Sequence, residues 1–256
     1  METVFVGSAP RLALSVAGEG PLVLFLHGIG GNRTSWAHQV PFFARKFTAA
    51  AWDARGYGES DDYEGPLQFS VFSFDVLRVL NHFKAKQVHL VGLSMGGRIA
   101  RNFALHHPDQ VKSLVLANTT PGFAALGPEG IKRFVDERRN LDPEAQATKL
   151  ISAHARAGAR EELIASLRAL RRDSYLKTVE ASTAQDVNAP IENIRAPTLV
   201  VTSEDDRLYT PDIARDMARR IPGAELAMIE GAGHLSNLEQ PERFNQVVLD
   251  FLLRHA

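Results

Sequence analysis

Cysteine is absent from the 256 residues. That removes disulfides, thiolate metal sites and a cysteine nucleophile together, and leaves an oxygen or a lysine for any nucleophilic role. An excess of charge is missing as well, since 29 Lys and Arg stand against 30 Asp and Glu for a formal charge of −1. Without a basic field to collect phosphates or anionic lipid, neither nucleic acid nor a membrane is an expected partner. No apolar run approaches the ~18 residues of a membrane span, and Met1-Glu2-Thr3-Val4-Phe5 lacks the basic region and apolar stretch of a signal peptide. The expected location is cytoplasmic. What is present is 45% hydrophobic and 23% charged residues, the balance of an ordinary folded soluble protein. The length suits one large core, or a core with a small appended lobe.

Short apolar runs recur along the chain at Leu22–Leu26, Thr48–Trp52, Val88–Leu93, Leu114–Ala117 and Thr198–Val201. They do not alternate polar with apolar, so they read as strands buried on both faces of a parallel sheet. Helical text lies between them. Residues 70–84 carry Val71, Phe74, Leu77, Val79 and Leu80, residues 95–107 carry Ile99, Ala100, Phe103 and Ala104, and a last helix starts at Pro241. Strand and helix alternate, which predicts an α/β class with a mostly parallel central sheet and helices on both faces. The first twenty residues differ: Val4, Val6, Leu12, Leu14 and Val16 alternate around Ala9-Pro10, as in an antiparallel hairpin at a sheet edge. From 121 to 189 the strand signal disappears. Apolar residues there recur every three or four positions, at Ile131, Phe134, Val135 and at Leu163, Leu167, Leu170, so the segment reads as a helical insertion. The sheet domain would then comprise 1–120 and 190–256.

The strand ending at Leu93 runs into Gly92-Leu93-Ser94-Met95-Gly96-Gly97 and then a helix. This is a G-x-S-x-G elbow, in which a strained strand-to-helix turn projects the serine and small residues on either side let the two elements approach. Ser94 also begins a helix, where free N–H groups and the dipole favour a developing oxyanion. A serine hydroxyl is inert at neutral pH without a base, so a histidine must be brought to it. Of nine histidines, His234 stands out in Gly231-Ala232-Gly233-His234, a glycine-rich loop between the apolar run Leu226–Ile229 and the last helix. The group orienting that imidazole should follow a strand and lie between serine and histidine. Glu204, Asp205 and Asp206 all do.

With serine, acid and histidine in that order, nearly the whole chain resembles the α/β-hydrolase superfamily, particularly its small capped members. His27-Gly28-Ile29-Gly30-Gly31 is similar to that family's HG oxyanion loop, and Asp53-Ala54-Arg55-Gly56-Tyr57-Gly58-Glu59-Ser60 to its D-x-R-G-x-G-x-S loop. The resemblance implies Ser94 as nucleophile, His234 as general base and then acid, and Asp206 as the residue fixing the histidine tautomer. Asp205 stays a rival, because one residue more than usual separates Asp206 from Pro211. The resemblance also implies the backbone N–H groups of Ile29 and Met95 as oxyanion donors, no cofactor or metal, structural roles for His27 and Arg55, and a substrate-shaping cap at 121–189.

The stretches 92–97, Leu116-Ala117-Asn118-Thr119 and Gly233–Pro241 resemble 3-oxoadipate enol-lactonases and related esterases, which implies a small carboxylic ester or lactone as substrate. Carbon–carbon bond hydrolysis of dienoate ring-cleavage products is the alternative, but its family has Asn before the serine and Trp after the histidine, where this chain has Leu93 and no later Trp. Perhydrolase activity follows, with Gly30 replacing that family's Pro, and then a non-catalytic receptor on the same fold. Arg168, Arg171 and Arg172 in the insertion are candidates for holding a substrate carboxylate, or form the wet face of a helix buried through Leu163, Leu167 and Leu170.

Overall fold

The computed structural model describes residues 1–123, 126–184 and 190–256. The expected end of the insertion at Ala189 lies outside the described residues. Strands β1 (Glu2–Val6), β2 (Leu12–Ala17), β3 (Leu22–Leu26), β4 (Thr48–Trp52), β5 (Val88–Leu93), β6 (Val111–Ala117), β7 (Thr198–Ser203) and β8 (Glu225–Ile229) form one eight-stranded sheet. Its order is β1-β2-β4-β3-β5-β6-β7-β8. The alternation near the N-terminus does produce an antiparallel hairpin, with Val4 opposite Leu14, and β2 joins β4 antiparallel. From β4 onward every pairing is parallel, as between Leu24 and Leu90 in β3 and β5.

The uninterrupted apolar runs are explained by two cores, one on each face. Leu24, Leu90, Leu114 and Val200 point into one, against α2 (Val71–His82), α3 (Met95–His106) and α8 (Pro211–Arg220). Phe25, Val91, Val115 and Leu199 point into the other, against α1 (Gln39–Phe43) and α10 (Pro241–Arg254). Each fully buried side chain of this size contributes about 1.5–3 kcal/mol relative to exposure, so a polar residue at any alternate position would cost one core or the other.

Two expectations are corrected. Phe74 is not on the buried face of α2 but is 61% exposed. At 100° per residue the buried stripe runs through Phe72, Val76, Val79 and Leu80, and position 74 lies on the opposite side. Strand β6 begins at Val111, three residues before the apolar run, because Ser113 is accommodated inside the sheet by a 2.8 Å bond to Nδ1 of His89.

Between β6 and β7 come α4 (Gly127–Arg139), α5 (Pro143–Leu150), α6 (Ala159–Arg168) and α7 (Arg172–Ala184). They carry two small apolar clusters. Leu150, Leu163 and Leu167 pack with Leu238 of α9 (Ser236–Glu239), and Phe134, Tyr175 and Val179 pack with Phe123. Among the described residues, no helix is long and apolar enough to cross a membrane.

Candidate active site

The strained elbow is present as the motif requires. Ser94 has φ 54°, ψ −115°, in a region that non-glycine residues rarely occupy, between β5 and the first turn of α3. Small residues are obligatory around it. A Cβ on Gly96 would stand 1.9 Å from the Leu26 carbonyl oxygen, and one on Gly92 would stand 2.3 Å from that of Gly96. The Thr119 hydroxyl donates to the Ser94 carbonyl at 2.6 Å, fixing the turn from the end of β6.

His234 reaches this serine from the loop after β8. Its Nε2 is 3.0 Å from Ser94 Oγ, and its Nδ1 is 3.0 Å from Asp206 Oδ2. All three side chains are buried. The tautomer follows from the partners, because a carboxylate can only accept: Nδ1–H donates to Asp206, and Nε2 is left to take the serine proton. Asp206 is saturated with donors. The backbone N–H groups of Leu208 and Tyr209 reach Oδ1, each at 2.9 Å, and the Asn118 amide reaches Oδ2 at 3.0 Å. Burial alone would raise this carboxyl group, but His234 and these donors outweigh it and hold Asp206 below the usual carboxylate range. The neighbouring Asp205 points away from the imidazole and accepts from Ser152 Oγ at 2.6 Å. Geometry therefore brings Asp206, not its rival, to the histidine.

Ile29 and Met95 line the same cavity as Ser94 and His234. Met95 is the first residue of α3, so its N–H has no acceptor within the helix. His27 and Arg55 hold the surrounding loops. The buried His27 ring donates through Nδ1 to Gly28 O at 2.7 Å and accepts at Nε2 from Ala54 N–H at 3.1 Å, which ties the HG loop to the end of β4. Burial pushes this imidazole below its usual value, in keeping with a neutral ring. Arg55 forms a two-pronged pair with Asp75, both contacts 2.7 Å.

The cavity measures about 460 Å³, within the range of small-molecule sites, and is lined largely by apolar side chains. Its walls combine the HG loop, the elbow and the histidine loop with Phe134 and Arg138 of α4, Leu163 and Leu167 of α6, and Tyr175 of α7. The three arginines considered for carboxylate binding are elsewhere. Arg168 pairs with Glu144 at the surface, Arg171 binds the backbone oxygens of Gly56 and Ser60, and Arg172 binds that of Arg139. The arginines lining the cavity are Arg98 and Arg138. Among the described residues, no group of three or more His, Asp or Glu side chains could hold a metal ion.

Several site residues escaped the sequence reading. Asn118, with φ 44°, joins Asp206 to Ser203 Oγ at 2.6 Å and accepts from Ser236 Oγ at 2.6 Å. Its position at the C-terminal end of a central strand, where open α/β sheets place their ligands, is the signal that could have found it. Glu239 is fully buried and accepts from the N–H groups of Ser152 at 2.7 Å, Gly233 at 2.8 Å and Leu235 at 2.9 Å. It thus clasps the histidine loop to the α5–α6 connection. Burial outweighs these bonds and raises its carboxyl above the usual range. Arg138 falls at the fourth position of the stripe Ile131, Phe134, Val135, Arg138, an i, i+3, i+4, i+7 spacing that puts a charge on the buried face.

Known proteins agree with this architecture. A 3-oxoadipate enol-lactonase from Acinetobacter baylyi is 28% identical over 94% of this chain and 93% of its own. A 2-hydroxy-6-oxononadienedioate/2-hydroxy-6-oxononatrienedioate hydrolase from Paraburkholderia phymatum is 33% identical over 92% of this chain and 88% of its own. Among solved structures, a thermophilic esterase from Thermogutta terrifontis superposes with a TM-score of 0.88 at 26% identity, each chain covered in full at 100%. The family model for the alpha/beta hydrolase fold matches residues 21–241, and with most of its length inside that match the chain belongs to the α/β-hydrolase family.

Proposed function

We propose that this protein is a serine hydrolase that cleaves a small carboxylic ester or lactone through an acyl-enzyme on Ser94. The observation that carries the reading is the unbroken line of contacts from Ser94 Oγ to His234 Nε2 and from His234 Nδ1 to Asp206, each 3.0 Å. In the first half of the reaction, Ser94 Oγ attacks the acyl carbonyl while His234 takes the hydroxyl proton. Asp206 stabilises the resulting imidazolium without itself taking the proton. The backbone N–H groups of Ile29 and Met95 receive the oxyanion, and loss of one such donor typically costs about 2.7–4 kcal/mol of transition-state stabilisation. The alcohol leaves with the proton from His234; in a lactone it stays tethered to the acyl group. Water, deprotonated by His234, then releases the acid and restores Ser94.

The helices between 121 and 189 act as a cap in this reading, since α4, α6 and α7 supply the roof of the cavity. The lactonase and esterase relatives support the substrate class. A second reading, hydrolysis of a carbon–carbon bond in a dienoate, is favoured by the Paraburkholderia relative at 33% identity. Against it stand Leu93 before the serine and the absence of tryptophan after His234.

Purified protein is expected to take a fluorophosphonate label at Ser94 and to hydrolyse 4-nitrophenyl butyrate, with Ser94→Ala losing both. No label and no turnover of any activated ester would end the proposal. Faster turnover of a dienoate ring-cleavage product than of any ester, simple lactone or enol-lactone would install the second reading.

A further inference from the structure

Arg138 is a buried cation with no carboxylate in salt-bridge contact among the described residues. Its side chain lies on the cavity side of α4 and is 5% exposed. Among the described residues its one hydrogen bond runs from a terminal nitrogen to the Phe134 carbonyl at 3.0 Å, one turn back in the same helix. Its Nε–H is buried with no acceptor. The guanidinium lies against the Phe134 ring, a contact that offers no hydrogen-bond acceptor and no full negative charge.

Among the described residues, the carboxylates beside Arg138 in sequence and around the cavity each have another partner, although the Glu137 charge also acts on it. On α4 itself, Asp136 pairs with Lys132, and Glu137 pairs with Lys149 at 2.8 Å. Glu162 also lines the cavity, but it is half exposed and pairs with Arg156 at 2.7 Å. Asp206 is committed to His234 and three further donors. Arg98, the other arginine in the wall, donates to the Ser182 carbonyl at 2.6 Å and lies between the rings of Phe69 and Phe123.

A guanidinium keeps its charge in proteins, and a buried charge without a counter-charge is rare because desolvation is expensive. Arg138 brings a planar guanidinium to the wall of the space where a substrate must lie, and among the described residues its Nε–H has no acceptor, just as Asn237 Oδ1 in the same wall has no donor. Planar forks of this kind suit carboxylates, which can accept two parallel N–H bonds. Tyr175 faces the same cavity, and burial pushes its phenol up to about 12, so its hydroxyl is a second donor at neutral pH. The remaining walls, including Ile29, Leu163, Leu167 and Leu238, suit a short hydrocarbon segment between that anion and the reacting carbonyl.

We propose that the substrate carries a carboxylate in addition to its ester or lactone, and that Arg138 binds this group as a specificity-determining residue. The inference rests on the ester or lactone hydrolase reading for the bond that is cleaved. It replaces the surface arginines Arg168, Arg171 and Arg172 with one inside the cavity.

The test uses two pairs of esters. One places the charge on the acyl side, 4-nitrophenyl hemiglutarate against 4-nitrophenyl valerate. The other places it on the leaving group, 4-butanoyloxybenzoate against phenyl butanoate. The charged member of at least one pair is expected to have the higher kcat/KM, and Arg138→Met is expected to cut that preference by about 10- to 100-fold, the scale of a lost hydrogen bond to a charged group. Arg138→Lys should fall between. The melting temperature of Arg138→Met should hold or rise, because an unpaired buried charge has been removed.

Equal treatment of both members in both pairs overturns the inference. So does an equal loss on charged and neutral esters together with a lower melting temperature, which would make Arg138 a packing residue. Fluorophosphonate labelling of Ser94 in the same preparation reports on the hydrolase reading alone. Should labelling fail, calorimetric titration of Ser94→Ala with glutarate still decides the carboxylate question: binding that Arg138→Met removes supports it, and no binding overturns it.

Discussion

The rim of the sheet and the helices above it treat buried charge in opposite ways. At the rim, Asp206 accepts four hydrogen bonds and Glu239 three, so each anion is held before any substrate arrives. In the helical roof, Arg138 keeps a buried Nε–H without an acceptor among the described residues. Groups that must already be oriented when the reaction begins benefit from saturation, because preorganised dipoles need not rearrange during it. A group that recognises a ligand must keep some of its bonding capacity open. On the proposed reading, this contrast suits the rim to chemistry and the roof to selection.

The largest expected effect tests the rim. Ser94→Ala should lower kcat by about 10⁶-fold, as removal of a triad serine typically does, leaving only what the oxyanion donors and binding supply. Far-UV circular dichroism should be unchanged, and the melting temperature should not fall. A loss below a hundredfold would move the chemistry away from this serine. Next comes Asp206→Asn, expected to cost about 10⁴-fold in kcat, since an amide in that place favours the wrong imidazole tautomer. Glutarate affinity should survive both substitutions if selection belongs to the roof. If it collapses with either, the division between the two regions fails.

The contrast was legible in the sequence on one side only. The apolar runs from Leu22 to Leu26 and from Val88 to Leu93 are buried on both faces, so their lack of alternation reported the sheet directly. Ser94 and His234 stood out because their backbones need glycine-rich turns, and such turns are written in a few adjacent residues. The acid was ambiguous among neighbours. Which carboxylate faces the imidazole depends on the turn after β7, where Asp205 N–H bonds to Ala232 O and Asp206 gathers the N–H groups of Leu208 and Tyr209. Arg138 was hidden more deeply. Asp136-Glu137-Arg138-Arg139 reads as a solvated charge run although its third member falls on the stripe of Ile131, Phe134 and Val135, and only tertiary packing shows that this stripe is covered. Local sequence records where the chain must bend; it records poorly which charge a distant cavity wall will enclose.

Glu239 joins the two regions, and pH separates its contribution from that of Asp206. The Asp206 carboxyl is depressed in the folded state, so its stabilisation is present above the ordinary unfolded value and is lost as pH falls through the folded one. Glu239 is raised by burial, so the sign reverses: its ionised form works against folding, and stability is regained as pH falls through the raised value. Urea unfolding between pH 7 and pH 4 should show wild type gaining on Glu239→Gln as the solution becomes more acidic. A constant difference across that range would mean that the three N–H bonds offset burial completely.

The smallest expected effect uses two adjacent carboxylates, one facing each region. Asp206 faces the histidine, whereas Asp205, at the next position back, accepts from Ser152 Oγ in the α5–α6 connection. Asp205→Asn keeps an oxygen for that hydroxyl and removes only a partly exposed charge. Interactions of exposed charges are worth about 0.2–1 kcal/mol, so kcat should stay within about fivefold of wild type. The matching change at Asp206 should differ from it by three orders of magnitude or more. Neighbouring residues of the same type would then separate by function according to which region their oxygens face. Comparable losses at the two positions would instead tie the α5–α6 connection to the reaction itself, and the boundary between preorganised rim and selective roof would have to be drawn above Ser152 rather than below it.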